Sequence, residues 1–263
     1  WPLPSMAPLA HTLALLAMTV AAVAIELNRT RNSFDDQYLN CGPAMTEALP
    51  ALKDSELKRN PLLKVVWANA TAECMKRVSC VSSSLPRDQA IALMAYSMDT
   101  RGLYKQFNKA VREAGSSPQQ YRDNFHYKAW HFLLTQALAT LRVSQGEQCR
   151  SVFRGVGNYQ FQAKPGDIVR FGQFASTSLD EAVTYGFGTD MVFEVYTCHG
   201  ADIHKFSNKS EQQEVLIPPF ETFKVTDVTQ DGKSTRIQLS STGNSSKYNC
   251  EWLGGDITEG TTW

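Results

Sequence analysis

Three short segments in the second half of the chain carry polar side chains whose types could support chemistry. In the first, Arg154 precedes Gly155, so an anion-binding guanidinium stands beside a residue without a Cβ, where a ligand can approach the backbone. In the second, Ser176 places a hydroxyl at the end of a predicted strand. In the third, Glu214 stands at the entrance of the apolar run 215–217, where a partly buried carboxylate needs a charged partner or a task. Each segment alone also fits an ordinary structural role.

The two serines that flank Thr177 receive different predictions. Ser178 begins the capping-box pattern Ser178-Leu179-Asp180-Glu181, so we expect it to cap a short helix that starts there. Ser176 has no such structural role, and it is therefore the candidate functional hydroxyl of this segment.

Composition and spacing argue against two other classes of site. The 26 Lys and Arg residues equal the 26 Asp and Glu residues in number, so nucleic acid is not an expected partner. His126 and His131 are five residues apart and do not share a helix face, and the cysteines do not have zinc-ligand spacing, so we expect no metal. With 43% hydrophobic residues, the chain can bury a core.

The elements that must position these residues fall into two parts of different texture. Apolar residues at three- and four-residue spacing predict helices over 61–80, 86–113 and 119–146. Short β-type runs separated by turns then predict strands over 151–156, 168–177, 191–197, 201–206, 215–228 and 235–240. This order indicates an α+β fold in a single domain, residues 25–263, that is mostly helical over 25–148 and mostly strand over 149–263.

The N-terminal region has the pattern of an export signal. Residues 12–24 are apolar or small, are too few for a membrane span, and end on the small-x-small pattern Ala22-Val23-Ala24. We therefore expect residues 1–24 to be a signal peptide, and we expect no transmembrane segment. Residues 254–263 lack the hydrophobic tail of a lipid-anchor signal, so the expected product is secreted, with surface anchoring only if the natural chain continues further.

Sequons and cysteines are also consistent with export. Candidate glycosylation sites are Asn28, Asn69, Asn208 and Asn244. Six cysteines in an exported chain predict three disulfides, and spacing alone leaves their pairing open. Cys74 and Cys80 are close enough in sequence for a local pair.

Taken together and in order, the three segments resemble those of the vertebrate ecto-ADP-ribosyltransferases. The matching segments are FRG at 153–155, RFGQFASTS at 170–178 and QQEVLIPPFE at 212–221. That family belongs to the group marked by an arginine, a Ser-Thr-Ser segment and a Glu-x-Glu motif. The resemblance implies a helical half packed on a β-sandwich-like NAD-binding core. It also implies transfer of ADP-ribose from NAD⁺, or NADP⁺, to an arginine of an acceptor protein.

The resemblance assigns a role to each candidate residue. Glu214 would hold the ribose 2′-hydroxyl and stabilise the positive charge that develops when nicotinamide leaves. Arg154 would bind the dinucleotide phosphates, and Ser176 would orient the glutamate and the ribose. The Gly155 backbone would receive the nicotinamide carboxamide. The family disulfides carry over as Cys41–Cys250 and Cys149–Cys198, which leaves Cys74–Cys80 as an additional pair.

Gln212 departs from the family pattern, because arginine-modifying members have a glutamate at the first position of Glu-x-Glu. On an extended segment, Gln212 and Glu214 face one side and Glu211 faces the other. An amide accepts a hydrogen bond but has no charge and cannot act as a base. We therefore expect weaker transfer to arginine and more hydrolysis of NAD⁺. One alternative is that glutamine at position 212 has no effect on activity because the acceptor is recognised elsewhere. The other is that the chain is a catalytically silent secreted binding protein.

Overall fold

The computed structural model describes residues 24–26, 30–81, 85–98, 100–157, 160–232 and 234–254. The predicted signal peptide lies outside these residues except for Ala24, and the Asn28 sequon also lies outside them. The first half of the described chain is helical, as its apolar spacing predicts. Its helices are α1 (Gly42–Arg59), α2 (Pro61–Cys74), α3 (Val78–Val81), α4 (Arg87–Ser97), α5 (Leu103–Ala114), α6 (Pro118–Asn124) and α7 (Lys128–Ser144). Among the helices described here, none has both the length and the apolar character to cross a membrane.

Two of the helices begin at side chains that satisfy the free N–H groups of a first turn. Asn60 Oδ1 accepts a hydrogen bond from the Leu63 N–H at 3.0 Å before α2. Ser117 Oγ accepts one from the Gln120 N–H at 3.0 Å before α6. A proline follows each cap, at a position where its missing N–H costs nothing. The local sequence therefore fixes where these helices start.

The second half of the chain contributes most of the strands. They are β1 (Ala24–Glu26), β2 (Arg150–Val156), β3 (Gln160–Gln162), β4 (Ile168–Val169), β5 (Ala175–Ser178), β6 (Met191–Thr197), β7 (Ala201–Asp202), β8 (Glu214–Ile217), β9 (Glu221–Asp231) and β10 (Ser234–Asn244). A short helix, α8 (Glu181–Thr184), follows β5. Eight strands form a mixed sheet in the order β4-β9-β10-β6-β2-β5-β8-β7, and β1 pairs in parallel with β3.

The mixed sheet has a narrow junction at its centre, where two neighbouring strands pair over a single position. Strands β2 and β5 pair at one position, Phe153 with Ser178, whereas β2 pairs with β6 along its whole length. The sheet therefore has a wider part, from β4 to β2, and a three-stranded part formed by β5, β8 and β7. Arg154 and Ser176 lie on the two strands that meet at this junction.

Buried side chains pack into two clusters that follow the same division. In the helical cluster, Trp130 of α7 is fully buried and its Nε1 donates to the Ala92 carbonyl at 3.1 Å. Phe174, Ala201 and Leu216 belong to this cluster, so the helices pack on the three-stranded part of the sheet. The second cluster is formed by strand residues of both parts of the sheet. The observed architecture is the expected α+β fold, with the helical half packed against the strands.

Three predicted strands are shorter than the sequence pattern suggests. The run 168–177 is interrupted because Gly172 adopts a left-handed conformation (φ 61°) and its carbonyl accepts a hydrogen bond from Ser33 Oγ at 2.6 Å. The run 215–228 is interrupted at residues 218–219, two prolines that have no N–H to donate to a sheet. The run 201–206 is a strand only at residues 201–202.

The structure contains the two disulfides that the family resemblance implies, Cys41–Cys250 and Cys149–Cys198, and the additional local pair Cys74–Cys80. The first closes a loop of 209 residues and so joins the two ends of the folded chain. A disulfide across so long a loop removes much of the conformational freedom of the unfolded chain.

A buried acidic pair reinforces the junction of the two ends. Asp35 forms an ion pair with Arg170 at 2.5 Å and accepts the Lys247 N–H at 2.9 Å. Asp36 accepts the N–H groups of Cys250 and Glu251 at 3.0 and 2.9 Å. Both carboxylates are fully buried, so the C-terminal segment is bound to the N-terminal segment by side chains that are shielded from water.

Candidate active site

Arg154 extends from β2 to the neighbouring strand across the narrow junction of the sheet. Its Nη1 donates a hydrogen bond to the Ser176 carbonyl at 2.6 Å, and the side chain is half-buried. Burial lowers the pKa of the Arg154 guanidinium, while Tyr96, Tyr104 and Glu214 act in the opposite direction. Arginine has so high a pKa that the group remains a cation at neutral pH. The junction thus carries a fixed positive charge beside Ser176.

Glu214 and Ser176 come together because β5 and β8 are antiparallel neighbours. Ser178 pairs with Glu214 and Ser176 pairs with Leu216, so Ser176 and Glu214 are diagonal across the two strands. The Ser176 side chain lies near the Glu214 carboxylate and lowers its pKa. Ser207 Oγ donates to Glu214 Oε2 at 3.1 Å. The carboxylate is therefore held by the Ser207 hydroxyl and has the Ser176 side chain of the neighbouring strand beside it.

Glu214 is a buried carboxylate whose surroundings act on its pKa in opposite directions. The residue is 6% exposed, and this burial raises the pKa of the Glu214 carboxyl. The Ser176 side chain and the hydrogen bond from Ser207 lower it, as do the positive charges of Arg154 and Lys209. Such a carboxylate has a fixed orientation and little screening by water, so it can interact strongly with a cation formed beside it.

Gly155 is required by close packing. A Cβ at this position would lie 2.3 Å from the Thr184 carbonyl oxygen and 2.5 Å from the Gly188 carbonyl oxygen. The backbone at Thr184, the last residue of α8, and at Gly188 therefore lies directly against β2 next to Arg154. Binding of a nicotinamide carboxamide by the Gly155 backbone stays a prediction.

The prediction that Gln212 and Glu214 lie on one extended segment is wrong. Residues Ser210–Gln212 form a 3-10 helix, and Gln213 adopts a left-handed conformation with φ 45°. Alternation along a strand therefore does not apply before residue 214. Gln212 is half-buried, whereas Glu211 is exposed, so Gln212 remains the better candidate for contact with an acceptor.

The prediction that Ser178 caps a helix is also wrong. The N-cap of α8 is Asp180, whose Oδ1 accepts the Ala182 N–H at 2.9 Å. Ser178 Oγ instead donates to the Gln212 carbonyl at 2.7 Å. Ser178 therefore fixes the backbone of the turn that leads into Glu214.

Two residues of the helical half also support the site, and the sequence analysis did not identify them. Tyr96 of α4 donates from its hydroxyl to the Phe174 carbonyl at 2.8 Å, two residues before Ser176. Asn108 of α5 donates from Nδ2 to the Tyr96 hydroxyl at 2.9 Å and to the Phe174 carbonyl at 3.0 Å. Burial raises the pKa of Tyr96 to about 12, so the phenol stays protonated.

We expect Tyr96→Phe to lower kcat for nicotinamide release from NAD⁺ about fivefold, with a change in KM of less than about twofold. The substitution keeps the ring but removes one hydrogen bond to the segment that carries Ser176, a loss of about 1 kcal/mol. Tyr121→Phe is the matched control, because the Tyr121 ring is fully buried and its hydroxyl has no hydrogen-bond partner in the described structure. Steady-state kinetics of both variants provide the measurement, and equal rates would remove Tyr96 from the site.

The remaining residues highlighted by the sequence lie elsewhere. His131 is fully buried in α7, where its Nδ1 is 2.8 Å from the Tyr38 hydroxyl, and His126 Nε2 is 3.2 Å from Arg59 Nη1. Within the described residues, no group of three or more His, Cys, Asp or Glu side chains could hold a metal ion. The sequons at Asn69, Asn208 and Asn244 are exposed, and their glycosylation stays a prediction.

Comparisons with known proteins identify the class of this fold. The solved structure of the mono-ADP-ribosyltransferase ART2.2 superimposes with a TM-score of 0.73 at 34% identity, covering 86% of this chain and 98% of that one. A mutant of ART2.2 has been solved in complex with NAD, and it superimposes with a TM-score of 0.71 at 35% identity, covering 84% of this chain and 96% of that one. The fold is thus that of an ADP-ribosyltransferase.

Sequence relatives define the family more closely. NAD(P)(+)–arginine ADP-ribosyltransferase 2 of Gallus gallus is 44% identical over 236 residues, which are 89% of this chain and 75% of that protein. GPI-linked NAD(P)(+)–arginine ADP-ribosyltransferase 1 of Mus musculus is 44% identical over 232 residues, covering 84% of this chain and 71% of that protein. The family model for NAD:arginine ADP-ribosyltransferases matches residues 27–247. The chain belongs to the NAD:arginine ADP-ribosyltransferase family.

Proposed function

We propose that the protein transfers ADP-ribose from NAD⁺ to an arginine side chain of an acceptor protein and releases nicotinamide. Family membership and the 44% identity to arginine-specific enzymes support this activity. The structural observation that carries the proposal is the buried Glu214 carboxylate, which is hydrogen-bonded to Ser207 and has Ser176 and the Arg154 cation beside it. NAD⁺ is the donor substrate, and NADP⁺ is a second donor suggested by the names of the relatives.

In this mechanism, Glu214 acts on the charge that appears as nicotinamide leaves. Breaking the bond between the nicotinamide nitrogen and ribose C1′ leaves the electron pair on nicotinamide and positive charge on the ribose. A fixed carboxylate stabilises that charge more than it stabilises neutral ribose, which accelerates the step. Glu214 is the catalytic residue, Ser176 orients it, and Arg154 binds the phosphates through a guanidinium that suits phosphate oxygens. A guanidinium nitrogen of the acceptor then bonds to C1′ and loses a proton.

Gln212 supports a second candidate function, hydrolysis of NAD⁺ with weak transfer. The amide side chain at this position has no charge to attract an arginine and cannot accept its proton. When transfer is weak, water takes the place of the acceptor and the products are free ADP-ribose and nicotinamide. A binding protein without catalysis is the third possibility.

Incubation with NAD⁺ and agmatine, a small guanidine, distinguishes the three functions. Nicotinamide together with ADP-ribosyl-agmatine supports transfer, and nicotinamide with only free ADP-ribose supports hydrolysis. Absence of nicotinamide release would contradict both enzymatic functions and leave the binding protein. Replacing NAD⁺ with NADP⁺ in the same assay tests the second donor.

We expect Gln212→Glu to raise the ratio of ADP-ribosyl-agmatine to free ADP-ribose by about tenfold or more. The new carboxylate attracts the guanidinium and can accept its proton, and general-base effects are commonly of this size or larger. Gln213→Glu is the matched control, because it adds the same charge one residue away on an exposed side chain. The products are quantified by chromatography, and an unchanged ratio would show that residue 212 does not select the acceptor.

We also propose that the enzyme acts outside the cell as a secreted protein. The predicted signal peptide and the three disulfides support export. The Mus musculus relative is GPI-linked, so anchoring at the cell surface is the alternative. Activity found in the medium of cells that express the complete gene supports secretion. Activity released from those cells only by a phosphatidylinositol-specific phospholipase supports anchoring.

A further inference from the structure

The small disulfide loop of the helical half lies against the segment that leads into Glu214. Cys74 and Cys80 enclose residues 75–79, which we call the disulfide loop. From this loop, Arg77 Nη1 donates a hydrogen bond to the Ser207 carbonyl at 2.6 Å. Ser79 Oγ donates to the Lys205 carbonyl at 2.7 Å. Two side chains of one short loop therefore hold two nearby carbonyls of the same segment.

Ser207 connects this support to the candidate active site. The residue is fully buried, and its Oγ donates to Glu214 Oε2 at 3.1 Å. The same Oγ accepts the Lys209 N–H at 3.1 Å. Because the Arg77 guanidinium holds the backbone of Ser207, it also fixes the position from which the hydroxyl reaches Glu214. A hydrogen bond from a charged donor is stronger than one between neutral groups.

The disulfide keeps the loop in the shape that presents Arg77. The Arg77 N–H donates to the Cys74 carbonyl at 3.0 Å, and the Cys80 N–H donates to the Arg77 carbonyl at 3.1 Å. These turns and the covalent link leave the loop few alternative conformations. The adjacent Lys76 is exposed, and its ammonium pairs with Glu73 of α2.

We propose that Arg77 is a positioning residue for Glu214 and that the disulfide loop is the external support of the active-site segment 205–213. The proposal rests on the proposed function only for its kinetic consequences. Without Arg77, Ser207 is less firmly held, and the Glu214 carboxylate loses part of its alignment and of its hydrogen bonding. A carboxylate that loses a hydrogen bond to its charged form has a higher pKa, so the acid limb of activity moves to higher pH.

The test compares Arg77→Ala, Arg77→Lys and Lys76→Ala in the full protein. We expect Arg77→Ala to lower kcat for nicotinamide release about fivefold and to change KM for NAD⁺ by less than about twofold. Its acid limb should move to higher pH. Arg77→Lys should recover part of the rate, since an ammonium can still donate to the Ser207 carbonyl. Lys76→Ala should match the wild type. Equal kinetics of Arg77→Ala and Lys76→Ala in an active protein would overturn the proposal.

Hydrogen–deuterium exchange gives a readout that does not depend on activity. We expect faster exchange over residues 205–213 in Arg77→Ala than in Lys76→Ala. The double variant Cys74→Ser/Cys80→Ser should show the same increase, because it opens the loop without changing Arg77. An inactive wild-type protein contradicts the proposed function, whereas unchanged exchange in both loop variants contradicts the role of the disulfide loop.

Discussion

Replacing Glu214 with glutamine is expected to lower the rate of nicotinamide release at least about 10²-fold. The amide has nearly the same shape as the carboxylate but lacks its charge, and loss of one electrostatic contact to a transition state commonly costs 10²–10³-fold. Glu214 as a residue is 6% exposed, so water does little to replace the missing charge. We expect the loss mainly in kcat, because the charge it stabilises appears as the bond to nicotinamide breaks.

Glu211→Gln provides the matched control for this variant. It removes the same charge three residues earlier, from an exposed side chain of the turn before β8. Its rate should stay within about twofold of the wild type. Steady-state kinetics with NAD⁺, together with equal thermal unfolding of both variants, provide the measurement. A Glu214→Gln protein with near-normal turnover would exclude Glu214 from catalysis.

The pH dependence of the wild type carries a related expectation. Burial raises the pKa of Glu214, and only its ionised form stabilises a cation. Activity should therefore decline, as the solution is acidified, at a higher pH than an exposed glutamate would give. The Glu214→Gln variant should not show this decline of activity at acidic pH.

The second large effect concerns stability. We expect Asp35→Asn to lower the free energy of unfolding by about 3 kcal/mol, because it leaves the Arg170 guanidinium without its carboxylate. The Arg170 side chain is 11% exposed and its guanidinium lies 2.5 Å from Asp35, whose side chain is fully buried. Urea unfolding with intact disulfides measures the change.

An exposed ion pair supplies the comparison for Asp35. Asp54 and Lys58 interact at 2.6 Å within α1, with both side chains more than half exposed. Asp54→Asn should change the unfolding free energy by about 0.5 kcal/mol or less, because such pairs are well solvated. Similar losses of unfolding free energy in the two variants would mean that burial of the Asp35–Arg170 pair adds nothing to its contribution to stability.

The sequence identified the candidate residues of the β half better than their supports. Arg154, Ser176 and Glu214 could be found because their three segments, taken together and in order, resemble the family's motifs, although each segment alone also fits an ordinary structural role. Tyr96 and Asn108 lie within helical segments, and their spacing does not distinguish a support of the site from a core residue. Their function depends on the packing of α4 and α5 against Phe174, which a local pattern does not encode.

The backbone conformation of the turn before β8 also could not be predicted from the local sequence. The local sequence predicts an extended segment from Gln212 to Glu214, but Gln213 adopts a positive φ that residues other than glycine rarely adopt. Long-range contacts hold it there, including the hydrogen bond from Ser178 Oγ to the Gln212 carbonyl. Ser178 was assigned to helix capping because the capping-box pattern is local, whereas its partner lies 34 residues away.

Gln212 is anchored through its main chain, by Ser178 at its carbonyl and by Lys209 at its N–H. Neither contact depends on the identity of the side chain. One nucleotide separates glutamine codons from glutamate codons, so the choice of nucleophile that we propose for residue 212 would change from water to guanidine in one mutational step, without a change in the surrounding fold.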